Sequence, residues 1–344
     1  TMLSWLYMVH GQHPVVAGLF YGIKPAVTAL VLQAAVRMGS RVLNNAVMWG
    51  LAAASFIAIF ALQLPFPAIV LAAGLLGYAG ARVAPRFFST APAHTAAARR
   101  YGAALIDDHT APPAHARFSR ARLAAVLGAG AALWLAPMAV LLASQGAAGT
   151  LTQMAWFFTK AALLTFGGAY AVLPYVYQGA VEQHGWLTGA QMIDGLALGE
   201  TTPGPLIMVV AFVGFLGGWA KQVLGPDALF AGAALAAVVV TFFTFLPSFV
   251  FILAGGPLVE STHGQLGFTA PLSAITAAVV GVILALALFF AGHVLWPQGL
   301  GGRFELGSAV MAVGAALALF RFKVGVLPLL GSCAVLGLLL QFLR

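Results

Sequence analysis

Glu200, Thr201 and Thr202 stand together in the run Gly199-Glu200-Thr201-Thr202-Pro203-Gly204-Pro205, at the mouth of an apolar segment. A carboxylate, two hydroxyls and two prolines are costly there, because hydrocarbon leaves polar groups unsatisfied. Such a run belongs where backbone lines a protected, wet cavity. A second break, Thr165-Phe166-Gly167-Gly168-Ala169-Tyr170, lies earlier in the chain, and Pro174 ends its stretch. Its glycines let backbone N–H groups approach an anion closely, or let helices pack closely. Lys160 lies seven residues before Gly167, about two turns away on the same helix face.

Other chemistries find no residues. Cys333 is the only cysteine, which leaves no thiolate metal site and no disulfide within the chain. His184, His263 and His293 lie near segment ends without a His-Glu-x-x-His spacing, and there is no Walker-type phosphate loop. No nucleophile–base set is visible. An enzyme, a metal centre and ATP hydrolysis within this chain are therefore not expected, and no cofactor is implied.

The elements that must position these residues are membrane helices. The chain is 62% hydrophobic and 7% charged, with a mean hydropathy of +0.99, against about 25% charged residues in soluble chains. Apolar segments fall at 14–36, 46–62, 66–84, 122–143, 153–180, 205–221, 228–254, 269–292, 306–320 and 324–343. Several meet the span length of about 20 residues. This predicts an all-α polytopic membrane protein with about ten membrane segments, of which 153–180 is a candidate re-entrant one. No signal peptide precedes the first segment, and Thr1 is not an initiator, so the chain is expected to begin inside a longer protein.

The formal charge of +8 reports topology rather than nucleic-acid binding. Arg82, Arg86, Arg99, Arg100, Arg117, Arg120 and Arg122 cluster in and beside a linker at 85–121, which places it in the cytoplasm. Arg37 and Arg41 then also fall inside. The linker reads as a solvated tether, with contact to anionic lipid as the lesser reading.

The ends of the chain resemble each other. Ala26-Val27-Thr28-Ala29-Leu30-Val31 matches Ala274-Ile275-Thr276-Ala277-Ala278-Val279, Asn45–Met48 matches Ser308–Met311, and Leu64–Pro67 matches the region Val324–Pro328. Residues 1–84 thus read as the C-terminal part of one transmembrane repeat and 122–344 as a whole second one. With seven crossings after the linker, Arg321-Phe322-Lys323 lands in the cytoplasm while 63–67 lies outside, so the halves are expected to be inverted. Inverted repeats with broken helices mark secondary transporters.

Three stretches, Phe166–Pro174, Gly185-Trp186-Leu187-Thr188 and Asp194–Leu206, together resemble the C-terminal half of the chromate ion transporter (CHR) family. The resemblance runs through 153–344 and, more weakly, 1–84. It implies two homologous halves of opposite orientation and a secondary transporter that exports chromate across the cytoplasmic (inner) membrane, using sulfate-like recognition and the proton-motive force. The family's first half carries its own Gly-Gly and Pro-Gly-Pro motifs, which this sequence does not contain. A sulfate or other oxyanion carrier, or a non-transporting membrane subunit requiring a partner, are the alternatives. Membrane lipid is the expected surrounding and a homo-oligomer is left open.

A divalent oxyanion needs hydrogen-bond donors, positive charge and a shielded route. Thr188 with Gln191 predicts a capping box opening a short helix to about Gly199. Thr202 is then expected as N-cap and Pro203 as N1 of the next helix, which would aim a positive helix end, about half a charge, beside Thr201 and Gly204. The expected anion-binding set is Lys160, Thr165, Gly167, Gly168, Tyr170, Thr201, Thr202 and Gly204. Lys160 reads as counter-charge or as a snorkelling side chain, and Tyr170 and Tyr175 as donors or packing residues. Lys24 is a similar, weaker candidate. Glu200 reads either as the proton-coupling carboxylate or as a cap, a surface charge or a partner for Lys160. Asp194 reads as a weaker candidate of the same kind, or simply as a residue facing the cytoplasm.

Overall fold

The structure is a computed structural model and describes residues 1–88, 119–165, 169–202, 204–261, 269–299 and 301–343. Most of the basic linker therefore lies outside the described residues. The described chain is helical: α1 Met2–His10, α2 Pro14–Val42, α3 Ala46–Phe60, α4 Phe66–Val83, α5 Pro85–Phe88, α6 Arg120–Gln145, α7 Thr150–Leu163, α8 Ala169–Tyr177, α9 Gly189–Thr201, α10 Val209–Ala220, α11 Leu229–Ser261, α12 Thr269–Leu295, α13 Leu306–Phe320 and α14 Val326–Leu343. A π-helical stretch, Gln178–Gln183, continues α8, and a 3₁₀ turn, Leu206–Met208, leads into α10.

Among the described residues, five segments are long and apolar enough to cross a membrane: Pro14–Val42, Phe66–Val83, Arg120–Gln145, Pro226–Gly256 and Thr269–Leu295. The apolar helices Ala46–Phe60, Leu206–Ala220, Leu306–Phe320 and Val326–Phe342 are shorter. The chain is a multi-pass membrane protein.

The stretch 153–180 breaks into two helices. A continuous helix would hold Phe157 and Tyr175 about 27 Å apart, yet their rings stack with centroids 4.7 Å apart. So α7 and α8 form a hairpin with its tip between Leu163 and Ala169. A second hairpin follows. Gly195 on α9 faces the ring of Phe212 on α10, and Gly199 lies beside Leu206 and Val209, so its tip is 202–205. The two bases pack together, with Trp186 stacked on Phe158 and seated over Gly217. The sequence does not reveal the first fold-back, because 153–180 is long and apolar enough to read as a single segment.

The long helices α2 and α12 lie side by side. Gly39 abuts Val280, while Lys24 shares a cavity with His293, so the two run antiparallel. Each packs against the hairpin that belongs to the other: α2 against α13 and α14, and α12 against α3 and α4. The contacts are close enough to require glycine. A Cβ on Gly22 would collide with the Cys333 carbonyl, and one on Gly337 with the backbone of Gly18 and Gly22. The matching contact sets Gly77 against Ala270 and Ala274.

The turns of the two hairpins have the same geometry. Gln63 and Lys323 adopt φ of 50° and 53°. Leu62 and Leu64 N–H donate to Ile57 and Ala58, as Phe322 and Val324 do to Leu317 and Ala318. Thr28 and Thr276, aligned in the sequence, both turn their hydroxyls onto the carbonyl four residues back, 3.1 and 2.7 Å away.

Candidate functional site

The two hairpin tips meet. Tyr170, in the first turn of α8, donates its hydroxyl to the Glu200 carboxylate near the end of α9. Glu200 is thus bound across the tips and not to Lys160. Lys160 lies exposed on α7, its ammonium 5.8 Å from the centre of the Trp156 ring. Phe166, Gly167, Gly168 and Pro203, expected at the two breaks, lie outside the described residues.

Thr188 and Gln191 form the expected capping box at the start of α9. Its other end differs from expectation. The helix runs to Thr201, and Thr202 is its C-cap, extended at φ −91° and ψ 132°; helical structure resumes only at Leu206. Proline at 203 drives the residue before it out of the helical region, so Thr202 ends one helix instead of starting the next. The Leu198 carbonyl accepts the Thr202 N–H and the hydroxyls of both Thr201 and Thr202. Thr165 likewise donates to Ala161 at 2.7 Å. All three hydroxyls therefore spend their protons on their own helices, and offer lone pairs outward. Gly204 lines a cavity of about 390 Å³ with Thr202, Pro205 and Ser4.

Two larger features escape a reading of the sequence. The first is a cavity of about 400 Å³ beside the tips, lined by Gln33, Arg37 and Arg41 of α2, Thr276 of α12, and Ala169 and Tyr170. In the sequence the two arginines serve only to orient the helix, yet they bring two positive charges to the tips. The second is a buried ion pair. The Lys24 ammonium lies 3.1 Å from Asp194 Oδ1, and the Tyr7 hydroxyl donates to Oδ2 at 2.8 Å. Asp194 is 4% exposed, so its carboxylate is buried and not a surface charge. An aspartate and a lysine inside apolar helices must find each other in a low dielectric, but nothing in their separation along the chain pairs them. The pair borders a cavity of about 650 Å³, which also includes Tyr21, Gln191, His293 and Glu305. Lys24 and Arg37 are about 20 Å apart along α2, so the two cavities lie toward opposite ends of that helix.

At the base of the first hairpin, His184 stacks on Trp186, with centroids 4.5 Å apart. Burial pushes its pKa below the ordinary histidine range, and the Lys160 and Lys221 charges lower it further. Among the described residues no group of histidines, cysteines and carboxylates could hold a metal ion.

The family model for "Chromate transporter" matches residues 1–78 and 152–338. A chromate transport protein of Pseudomonas aeruginosa is 33% identical over 284 residues, covering 82% of this chain and 57% of that protein. A chromate transport protein of Cupriavidus metallidurans is 30% identical over 55% of this chain and 42% of that protein. A probable chromate transport protein of Synechococcus elongatus is 32% identical over 43% of this chain and 34% of its own length. The chain thus spans about half the length, or less, of these relatives. No solved structure matches it. The motif-bearing hairpins and both repeat-related helices fall inside the matched regions, and the chain belongs to the chromate transporter family.

Proposed function

We propose that this chain forms the translocation path of a secondary transporter that carries chromate out across the cytoplasmic membrane, coupled to the proton-motive force. The observation that carries this reading is the meeting of the two hairpin tips at Tyr170–Glu200, between cavities toward opposite ends of α2. Broken helices that meet inside a membrane bundle are where transporters bind ions.

The division of labour follows from charge. By the charge of Arg37 and Arg41 the first cavity opens at the cytoplasmic end, where it concentrates a dianion. Gly204, Thr201 and Thr202 border the passage at the second tip. Glu200, held by Tyr170, repels an anion when ionised and admits it when protonated. The antiparallel packing of α2 and α12, with their exchanged hairpins, supports halves inverted across the membrane.

The test is flux in liposomes containing the purified chain, with chromate loaded inside and a pH gradient and potential imposed separately. The reading expects saturable chromate movement driven by the gradient and reduced by Arg37→Ala with Arg41→Ala. Sulfate as competitor separates the carrier's preference between two ions of the same shape and charge. Well-folded protein that moves neither ion would overturn it.

A further inference from the structure

From Tyr7, Lys24 and Asp194 we infer a second ionic site: Lys24 is an oxyanion-binding group that Asp194 occupies until a proton displaces it. The inference rests on the oxyanion-transporter reading and adds to it the residue that senses loading of the cavity at the Lys24 end of α2.

The geometry is asymmetric between the partners. Lys24 is 31% exposed at its side chain and reaches the 650 Å³ cavity, whereas the Asp194 side chain is 5% exposed. Asp194 Oδ2 is held by Tyr7. Among the described residues, Oδ1 has no polar partner besides the Lys24 ammonium 3.1 Å away. A carboxylate so buried can stay ionised only while that ammonium remains. Among the described residues, too, Lys24 is the one lysine or arginine lining this cavity. The other ionisable groups that face the pair are Tyr7 of α1, Tyr21 of α2, His293 of α12 and Glu305 before α13. Tyr21 donates to Glu305 at 3.2 Å, and His293 Nδ1 is engaged with the Phe289 carbonyl at 3.1 Å. On α9 the neighbouring Gln191 belongs to the capping box, and α10 contributes the apolar Phe212 beside Tyr7.

A proton entering from the cavity adds to Asp194 Oδ1 and neutralises the carboxylate. The Lys24 ammonium then needs a new anion, and its flexible stem lets it turn into the cavity. A tetrahedral dianion there takes the place of the carboxylate. When Asp194 loses the proton it reclaims Lys24 and the dianion leaves. Proton and oxyanion therefore strengthen each other's binding by the same factor.

The test measures stabilisation of the purified full chain by sulfate, whose charge is constant across the neutral range, and by chromate, at mildly acidic and mildly basic pH. Wild type is expected to bind sulfate more tightly at acidic pH. Asp194→Asn should bind at basic pH on the order of ten-fold more tightly than wild type, with the pH dependence gone. Lys24→Gln should lose the tighter binding at acidic pH. Because it strands a buried carboxylate, Lys24→Gln with Asp194→Asn provides a charge-free pair that should fold and bind no more tightly at acidic than at basic pH. Wild-type affinity at acidic pH in that double variant, or unchanged pH dependence in Asp194→Asn, overturns the inference while leaving the oxyanion reading intact. A folded wild-type chain that no tetrahedral oxyanion stabilises at any pH overturns both.

Discussion

Tyr170 and Glu200 join two hairpins whose remaining contacts are almost wholly apolar, and they do so at the point where both chains turn back. One polar contact therefore fixes the relative position of two tips, each carried on its own pair of helices.

Tyr170→Phe removes the donor and leaves the carboxylate without its partner, at a cost of about 1–3 kcal/mol. Loss of a clamp also predicts chromate leak without an imposed gradient, read as flux from loaded liposomes. Glu200→Gln keeps a side chain that Tyr170 can bond but that cannot ionise. Its flux should lose pH dependence, while sulfate-induced stabilisation keeps the pH dependence of wild type, because loading depends on Asp194. Retention of pH-dependent flux in Glu200→Gln would remove Glu200 from the coupling step.

The contact between α2 and α14 has no room for a side chain at Gly22 or Gly337. Gly337→Leu should cost about 1–3 kcal/mol by overpacking, or more if the backbones part. At Gly314 and Gly331 no atom stands within 4 Å of the place a Cβ would take, so leucine there should leave stability nearly unchanged. Thermal unfolding in detergent distinguishes the four glycines, and equal effects at all of them would count against the packing described.

The membrane class and the capping box at Thr188 are legible in the sequence because composition and local spacing specify them. The repeat is legible where it matters most: the matched turns share φ, hydrogen bonds and register. The end of α9 departs from expectation because two rules for proline compete there. One favours it at N1, the other drives the preceding residue out of the helix, and the second prevails at Thr202. Lys160 and Glu200 suggest an obvious pairing by charge, but helix rotation puts the lysine over Trp156. The Lys24–Asp194 pair is invisible for a different reason. Its partners come from helices far apart in the chain, and a single sequence carries no signal of which buried charges meet.

Gln178 offers a test of how the matched turn at 63–66 is held. It donates to the Leu64 carbonyl at 3.1 Å and accepts from the Phe66 N–H at 2.9 Å. Gln178→Leu would leave both backbone groups unpaired near a buried site, a loss of about 1–3 kcal/mol. Glutamate keeps the acceptor but not the donor, and should fall between the two. Hydrogen exchange at Phe66 should rise in Gln178→Leu and stay slow at residues of α12. Unchanged exchange at Phe66 would mean that the turn holds its shape without the side chain.

His184 provides a pH test at the hairpin base. Its folded-state pKa lies below the ordinary value of about 6.5, so the folded protein binds fewer protons at this site than the unfolded chain. Above the ordinary value both states are neutral and the full stabilisation is present. As the pH falls through it toward the depressed folded value, the unfolded chain is protonated first and stability declines. His184→Gln should flatten that decline and lose some stacking on Trp186. Lys221→Gln removes one of the two neighbouring charges, so the folded pKa moves back toward the ordinary value. The decline should then begin at the same pH but be shallower and finish sooner on acidification. Thermal unfolding followed between neutral and mildly acidic pH reads all three proteins, and a decline in His184→Gln equal to that of wild type would assign the acid sensitivity to another group.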